Sequence, residues 1–430
     1  MNAKGTDGRP QYWFFEWLTK YHVRDLDRAH KLLLQQGSLD ELRALAKSRV
    51  DGGATSRPIT SILAGRGIDL SGQLDCNAAS CRRRQVDQLF HRVWLYFDKI
   101  VVADAIAHEI TYHWTEPSPE VIKWLLSHIA ALLYLREIGA ESLVEFREKP
   151  VPCEKHWRRH AEEAGLTGLL QAADEAIPVL IEEGELKLEP TEKGCIDFVF
   201  NHPLIEHTQW GHLCSSEVLP ADAKKIRLAA AEAIVGKFVA HLTSDIVTAQ
   251  GNGIPVGSTL YMYGRMLRQP TGSAAGNVAF NLHLPVLDNI PTGLLIKLRH
   301  DEHEHFRRFQ YKLRQAIEER QKINAISEPE KMARQIQDDL IEPELRRLRD
   351  RLAASERALN RKAAVGMALG ALATTCGVFS GLALPVALGA GVGTAITMTG
   401  SAASKYLEEA RDISLEDLYF LWKAIEHVHS

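Results

Sequence analysis

Four short groupings hold residue types able to bind a metal or move a proton. His108-Glu-Ile-Thr-Tyr-His113 has the composition of a zinc-hydrolase motif. Its second histidine comes five residues after the first, which turns it about 140° around a helix, so the imidazoles miss the shared face a zinc pair needs. Cys153, His156 and His160 fall one turn apart if 153–160 is helical, but no adjacent cysteine pair completes a structural zinc spacing. Cys195, His202, His207, His212 and Cys214 match no standard ligand spacing. His300, His303 and Glu304 can share the solvated side of a helix, where the imidazoles charge below about pH 6.5. The expectation is no metal and no cofactor, with Cys153, His156 and His160 as the alternative ligands.

Two acids stand in a more ordered context. Asp104 closes the apolar run Lys99-Ile-Val-Val-Ala103. Asp245 lies in a helix that leads through Gly253 to Ile254-Pro-Val256 and then Ser258-Thr259. Carboxylates gathered at strand ends can hold Mg²⁺ for phosphodiester hydrolysis. This order is similar to the acidic scaffold of PIN-type metal nucleases, and the resemblance implies a metal-dependent nuclease centred on Asp104 and Asp245. Ser258 or Thr259 stands where that family places an acid. Neither a G-x-S-x-G elbow nor a Walker A lysine is present. Gly389-Ala-Gly-Val-Gly-Thr is glycine-rich but sits inside an apolar stretch instead of following a strand. A non-enzyme is therefore expected, with the nuclease as an alternative.

The elements that would position these residues follow from periodicity. The 430 residues are 45% hydrophobic and 25% charged, with a net charge of −4. Those proportions suit a globular chain of two or three domains and do not indicate nucleic-acid binding. Six scattered cysteines suggest no disulfide framework, and Met1–Arg9 has no apolar run, so a reducing, cytoplasmic setting without a signal peptide is expected. The predicted fold class is mostly α with a central α/β (α+β) domain. Residues 1–85 read as an N-terminal helical region with a docking aromatic cluster, Tyr12-Trp-Phe-Phe-Glu-Trp17, then a glycine-rich linker from 51 that ends in a solvated Arg82-Arg83-Arg84. Residues 86–290 form the α/β body. Within it, 99–103 reads as a strand, 117–139, 166–183 and 221–249 as helices, 186–190 with 195–200 as a hairpin, and 254–256 as an edge strand. Residues 291–362 carry apolar positions at helical spacing (Leu295, Leu298, Phe306, Phe309, Leu313, Ile317) and predict an amphipathic stalk resembling an antiparallel coiled coil.

The strongest departure from average composition lies beyond the stalk. No charged residue occurs between Lys362 and Lys405. Residues 363–404 contain 8 Gly, 11 Ala and a single proline, Pro385. Each side of Pro385 is about 20 residues long, enough to cross a hydrocarbon core of about 30 Å as a helix. Gly366 and Gly370, Gly377 and Gly381, and Gly389 and Gly393 have the small-xxx-small spacing that lets helix backbones touch. Large aliphatic side chains are sparse, so neither arm is a strong autonomous span. Residues 345–362 carry seven basic against two acidic side chains. Arg346, Arg347, Arg349, Arg351, Arg361 and Lys362 can draw this segment to anionic lipid at about 1 kcal/mol each. Residues 405–430 then read as an amphipathic helix. The expected function is a conditional membrane-interacting effector that stores a helical hairpin and inserts it on activation, with bacterial defence as one setting it would suit. An anionic membrane surface and a protein partner or second copy are its expected partners. A non-enzymatic scaffold with the hairpin as buried core is the further alternative.

Overall fold

The computed structural model describes residues 12–48, 61–70, 78–93, 96–112, 118–148, 153–191, 195–203, 205, 208–213, 223–266, 290–323, 329–343 and 346. The chain divides into Met1–Asn277 and Val278–Ser430. It is mostly helical, with one parallel and one antiparallel sheet among the described residues.

The first unit opens with α1 (Trp13–Lys20), α2 (Leu26–Leu33) and α3 (Ser38–Ser48). Trp13, Phe14, Phe15 and Trp17 are buried, so the aromatic cluster docks as its density predicts. Asp25 caps α2 by accepting from the Arg28 backbone N–H at 2.7 Å. Next come β1 (Ser61–Ala64), α4 (Ala79–Val93), β2 (Lys99–Ala103), α5 (Ala105–Tyr112), α6 (Pro119–Glu137) and β3 (Val144–Arg147). Ser118 caps α6 and Pro119 supplies its first turn, where the missing N–H costs nothing.

Two expectations for 51–85 are corrected. The supposed linker contains β1, the strand on which the sheet is built. Pairing is parallel throughout, in the order β3-β2-β1-β7, where β7 is Val256–Gly257. Ile62, Leu63 and Ala64 are buried, and four residues ending at Gly65 are too few for alternation to show. Arg82 is not solvated: it is 0% exposed, while its neighbour Arg83 reaches outward to Glu137 and the Tyr134 ring. A triplet on a helix points in three directions, and here one of them is the core.

A second core lies within the same unit. It joins α7 (Trp157–Glu163), α8 (Thr167–Glu183), α9 (Ala223–Asn252), α10 (Tyr261–Met266) and the antiparallel sheet β4 (Glu185–Pro190), β5 (Ile196–Asn201) and β6 (Gln209–Leu213). The hairpin β4–β5 pairs Leu186 with Phe200 and Leu188 with Phe198. Strand β6 falls in the histidine-rich stretch and was not anticipated. Cys195 is disulfide-bonded, contrary to the reduced state expected from cysteine spacing, whereas Cys81 and Cys153 form no disulfide. Helix α9 stops at Gly253, whose φ of +65° lets Ile254 N–H return to the Ala249 carbonyl at 3.0 Å.

The second unit contains α11 (Thr292–Asp301), α12 (His303–Ile323) and α13 (Pro329–Ile336), the last continued by a π turn at Gln337–Ile341. Leu295, Leu298, Phe306, Phe309, Leu313 and Ile317 are all buried, as their helical spacing requires. Arg320 reaches Asp339 at 3.1 Å across α12 and the π turn. Residues 363–404, the C-terminal amphipathic segment 405–430, and Arg347, Arg349, Arg351, Arg361 and Lys362 lie outside the described residues. No helix among the described residues is long and apolar enough to cross a membrane.

Candidate functional site at the carboxyl ends of the parallel strands

From β1 the chain builds outward through β2 and β3 on one side, and β7 joins β1 on the other. The carboxyl ends of β1 and β7 therefore meet where the strand order reverses, which is where open parallel sheets hold their ligands. Gly65-Arg66-Gly67 leaves β1 there, and Ser258-Thr259 leaves β7.

These two turns are in close contact. Gly65 N–H donates to the Gly257 carbonyl at 2.7 Å. A Cβ on Gly65 would stand 2.9 Å from that carbonyl oxygen and 3.3 Å from Asp245 Oδ2. Gly67 has a φ of +97°, and a Cβ there would meet Thr259 Oγ1 at 2.8 Å. Ser258 Oγ donates to the Arg66 carbonyl at 2.5 Å and accepts from Leu260 N–H at 3.2 Å, closing the turn that starts α10.

Helix α9 supplies the floor. Phe238, His241 and Asp245 follow the spacing i, i+3, i+7 and so share one stripe. The Arg66 guanidinium lies 5.7 Å from the centre of the Phe238 ring, with Nη1 buried and unbonded. His241 Nε2 is 3.4 Å from Glu154 Oε1, and this imidazole, helped by Lys237 and Arg66, holds the Glu154 carboxyl below its usual range. Asp245 is fully buried. Tyr263 of α10 is also fully buried, and burial, followed by the negative charge of Asp245, pushes its phenol well above its usual value. The result is a mixed-charge cluster of Arg66, Glu154, His241, Asp245 and Tyr263. It can hold a neutral phenol and an arginine in fixed positions beside half-exposed Ser258 and Thr259.

The Tyr263 hydroxyl has no well-formed hydrogen bond despite its polar neighbours. Tyr263→Phe is therefore expected to change stability by less than about 1 kcal/mol, because the hydroxyl lacks a well-formed bond and Arg66 offsets part of its desolvation. Urea unfolding checks this, and a loss above about 1 kcal/mol would show that the hydroxyl is well bonded.

The sequence candidates separate in space and role. Asp245 belongs to this cluster. Asp104, at the end of β2, is used structurally. It accepts from Tyr12 Oη at 2.9 Å, Trp13 Nε1 at 2.8 Å and Ala107 N–H at 3.0 Å, and so caps α5 and ties α1 to the sheet. Cys153 is exposed and precedes a 3₁₀ turn at Glu154–His156, with α7 starting only at Trp157. The single helix that would have aligned Cys153, His156 and His160 is not formed. His212 pairs with Asp197 across β5 and β6. A helix break at Glu302 separates His300 from His303 and Glu304, and all three are exposed. Among the described residues, no group of three or more His, Cys, Asp or Glu is placed to hold a metal ion. Arg346 is ion-paired with Glu342 at 3.2 Å. Gly366, Gly370, Gly377, Gly381, Pro385, Gly389 and Gly393 lie outside the described residues.

Known proteins give no further guide. The chain matches no family model, and no curated protein or solved structure is significantly similar to it. Arg66 and Tyr263 were missed because β1 went unread. The available signal was Ile62-Leu-Ala64 running straight into Gly-x-Gly, a short buried strand followed by a tight turn.

Proposed function

We propose that the chain is a conditional membrane-interacting effector that stores residues 363–404 as a helical hairpin and inserts them on activation. The observation that supports this is the uncharged run between Lys362 and Lys405 beside a segment with seven basic side chains. An uncharged Gly/Ala-rich pair of arms gains little from entering lipid alone, so insertion depends on helices packing against one another. A second copy or a protein partner supplies that packing, and the basic flank holds the segment at an anionic surface. Defence against a foreign cell or virus is one setting such an effector suits.

The nuclease alternative has less support, because Asp104 is committed to Tyr12, Trp13 and Ala107. The scaffold alternative shares the stored hairpin and differs only in never releasing it.

The test is leakage of anionic vesicles by the full chain, compared with the double substitution Gly381→Leu and Gly389→Leu. Leucine raises hydropathy yet blocks close helix contact, so leakage should fall at least tenfold while the far-UV spectrum is unchanged. Unchanged or increased leakage would remove the assembly-dependent hairpin. Fractionation with and without residues 363–404 should move the protein out of the membrane pool when they are deleted.

A further inference from the structure

Helix α6 carries a second buried polar grouping, remote in the strand order from the β1–β7 crevice. His128 is 5% exposed, and its ring lies 3.9 Å from the Trp124 ring. Its Nε2 is buried and has no hydrogen bond. The preceding residue, Ser127, accepts from Arg82 Nη2 at 3.1 Å. Arg82 comes from α4, is 0% exposed, and also donates to Gln85 Oε1 at 3.2 Å. Buried Arg82 is thus anchored on the residue next to buried His128, across the contact between α4 and α6.

Among the described residues no acid is ion-paired with the His128 imidazole, whose Nε2 has no hydrogen bond. Helix α4 contributes Arg82, a cation. Helix α1 contributes Tyr12, whose hydroxyl is turned to Asp104. The Asp104 carboxylate is directed at Tyr12, Trp13 and Ala107 and makes no ion pair with His128. From α2 comes His30, which lines the groove beyond Ser127. Leu70, Ala103 of β2 and Phe146 of β3 are apolar. The cavity that His128 shares with them is about 10 Å³, room for one water at most.

On the other side of Ser127, an open groove of about 430 Å³ runs between α2 and the first turns of α4 and α6. Leu26, Leu34, Ile122 and Leu126 line it, and Leu34 is 61% exposed.

We propose that the α4–α6 contact is an acid-sensitive joint: protonation of His128 sets a second cation beside buried Arg82, loosens the two helices and widens the adjoining apolar groove. The direction follows from burial. Burial first, and then the positive charge of Arg82, hold the imidazole well below its usual value. An unfolded or opened chain takes up that proton near pH 6.5, before the closed form can. The contribution of the closed state is therefore complete above about pH 6.5 and is lost as pH falls below it.

The experiment uses the full chain, with His128→Gln and His128→Leu as comparisons. Urea midpoints are measured between pH 7.5 and 5, alongside fluorescence of an anilinonaphthalene sulfonate dye without urea. The wild-type unfolding constant should rise about tenfold more per pH unit below 6.5 than that of either variant. Dye fluorescence should increase at pH 5.5 in the wild type alone. Equal slopes and equal dye binding in all three proteins would overturn the proposal. Should both variants fold too poorly to compare, the wild-type His128 Cε1 proton signal, assigned through its contact with Trp124, decides. Titration well below pH 6.5 together with dye uptake supports the joint, and ordinary titration near 6.5 without dye uptake ends it.

Discussion

Replacing Asp104 by alanine should cost about 4 kcal/mol of stability, far more than a surface carboxylate is worth. Three donors converge on this one side chain: Tyr12 Oη, Trp13 Nε1 and Ala107 N–H. The helix cap is worth about 1 kcal/mol. Each buried bond to a charged acceptor is worth about 1.5 kcal/mol, and its loss leaves a donor desolvated with nothing in return. Asp104→Asn keeps the shape and an acceptor oxygen, so its cost should be about half. Urea unfolding of the full chain measures both. Proteolysis gives an independent reading, because α1 is held to the sheet through Tyr12 and Trp13 and should become the first cleavage site in the alanine variant. A loss below about 1 kcal/mol would mean that aromatic packing, including Tyr12 stacked 4.0 Å from Phe146, holds α1 without the carboxylate.

Gly65→Val should cost about 3 kcal/mol or more. Here the obstacle is backbone. The added Cβ would stand 2.9 Å from the Gly257 carbonyl oxygen and 3.1 Å from Val256 Cγ1. Neither can retreat while Gly65 N–H holds Gly257 at 2.7 Å. Overpacking of this kind costs about 1–3 kcal/mol, and the lost ladder bond adds to it. The Val256–Gly257 strand is only two residues long, so β7 should detach before the rest of the sheet. Hydrogen exchange resolves this: protection at Leu63 and Gly65 should collapse while β2 and β3 keep theirs. If all four strands lose protection together, β7 is integral to the sheet's cooperative unit and the crevice is not locally adjustable.

Much of the secondary structure was legible in the sequence. Strand β2, the β4–β5 hairpin, helices α6, α8 and α9, and the stop at Gly253 all follow from period and punctuation. Apolar spacing also anticipated the buried side of α11 and α12. These patterns are local: a helix or hairpin repeats its signal over many residues, and each repeat is set by the same requirement to hide one face. Strands β1, β3 and β6 were not anticipated. Buried along its whole length in a parallel sheet, β1 has no alternation to read, whereas β3 and β6 are edge strands of four and five residues, too short and too polar for a pattern to stand out.

The uncharged run at 363–404 and its basic flank were determined by the sequence alone, since hydropathy and charge are properties of composition. Which polar residues meet was decided only by the tertiary structure. Sequence order presented Asp104 and Asp245 as a pair, yet β2 delivers one to Tyr12 and Trp13 while α9 lays the other beneath Gly65. The same holds for Arg82, one of three adjacent arginines, whose burial beside Ser127 and near His128 follows from where α4 meets α6. Those partners are 45 and 46 residues away along the chain, and no local pattern encodes a contact that exists only once two helices have packed.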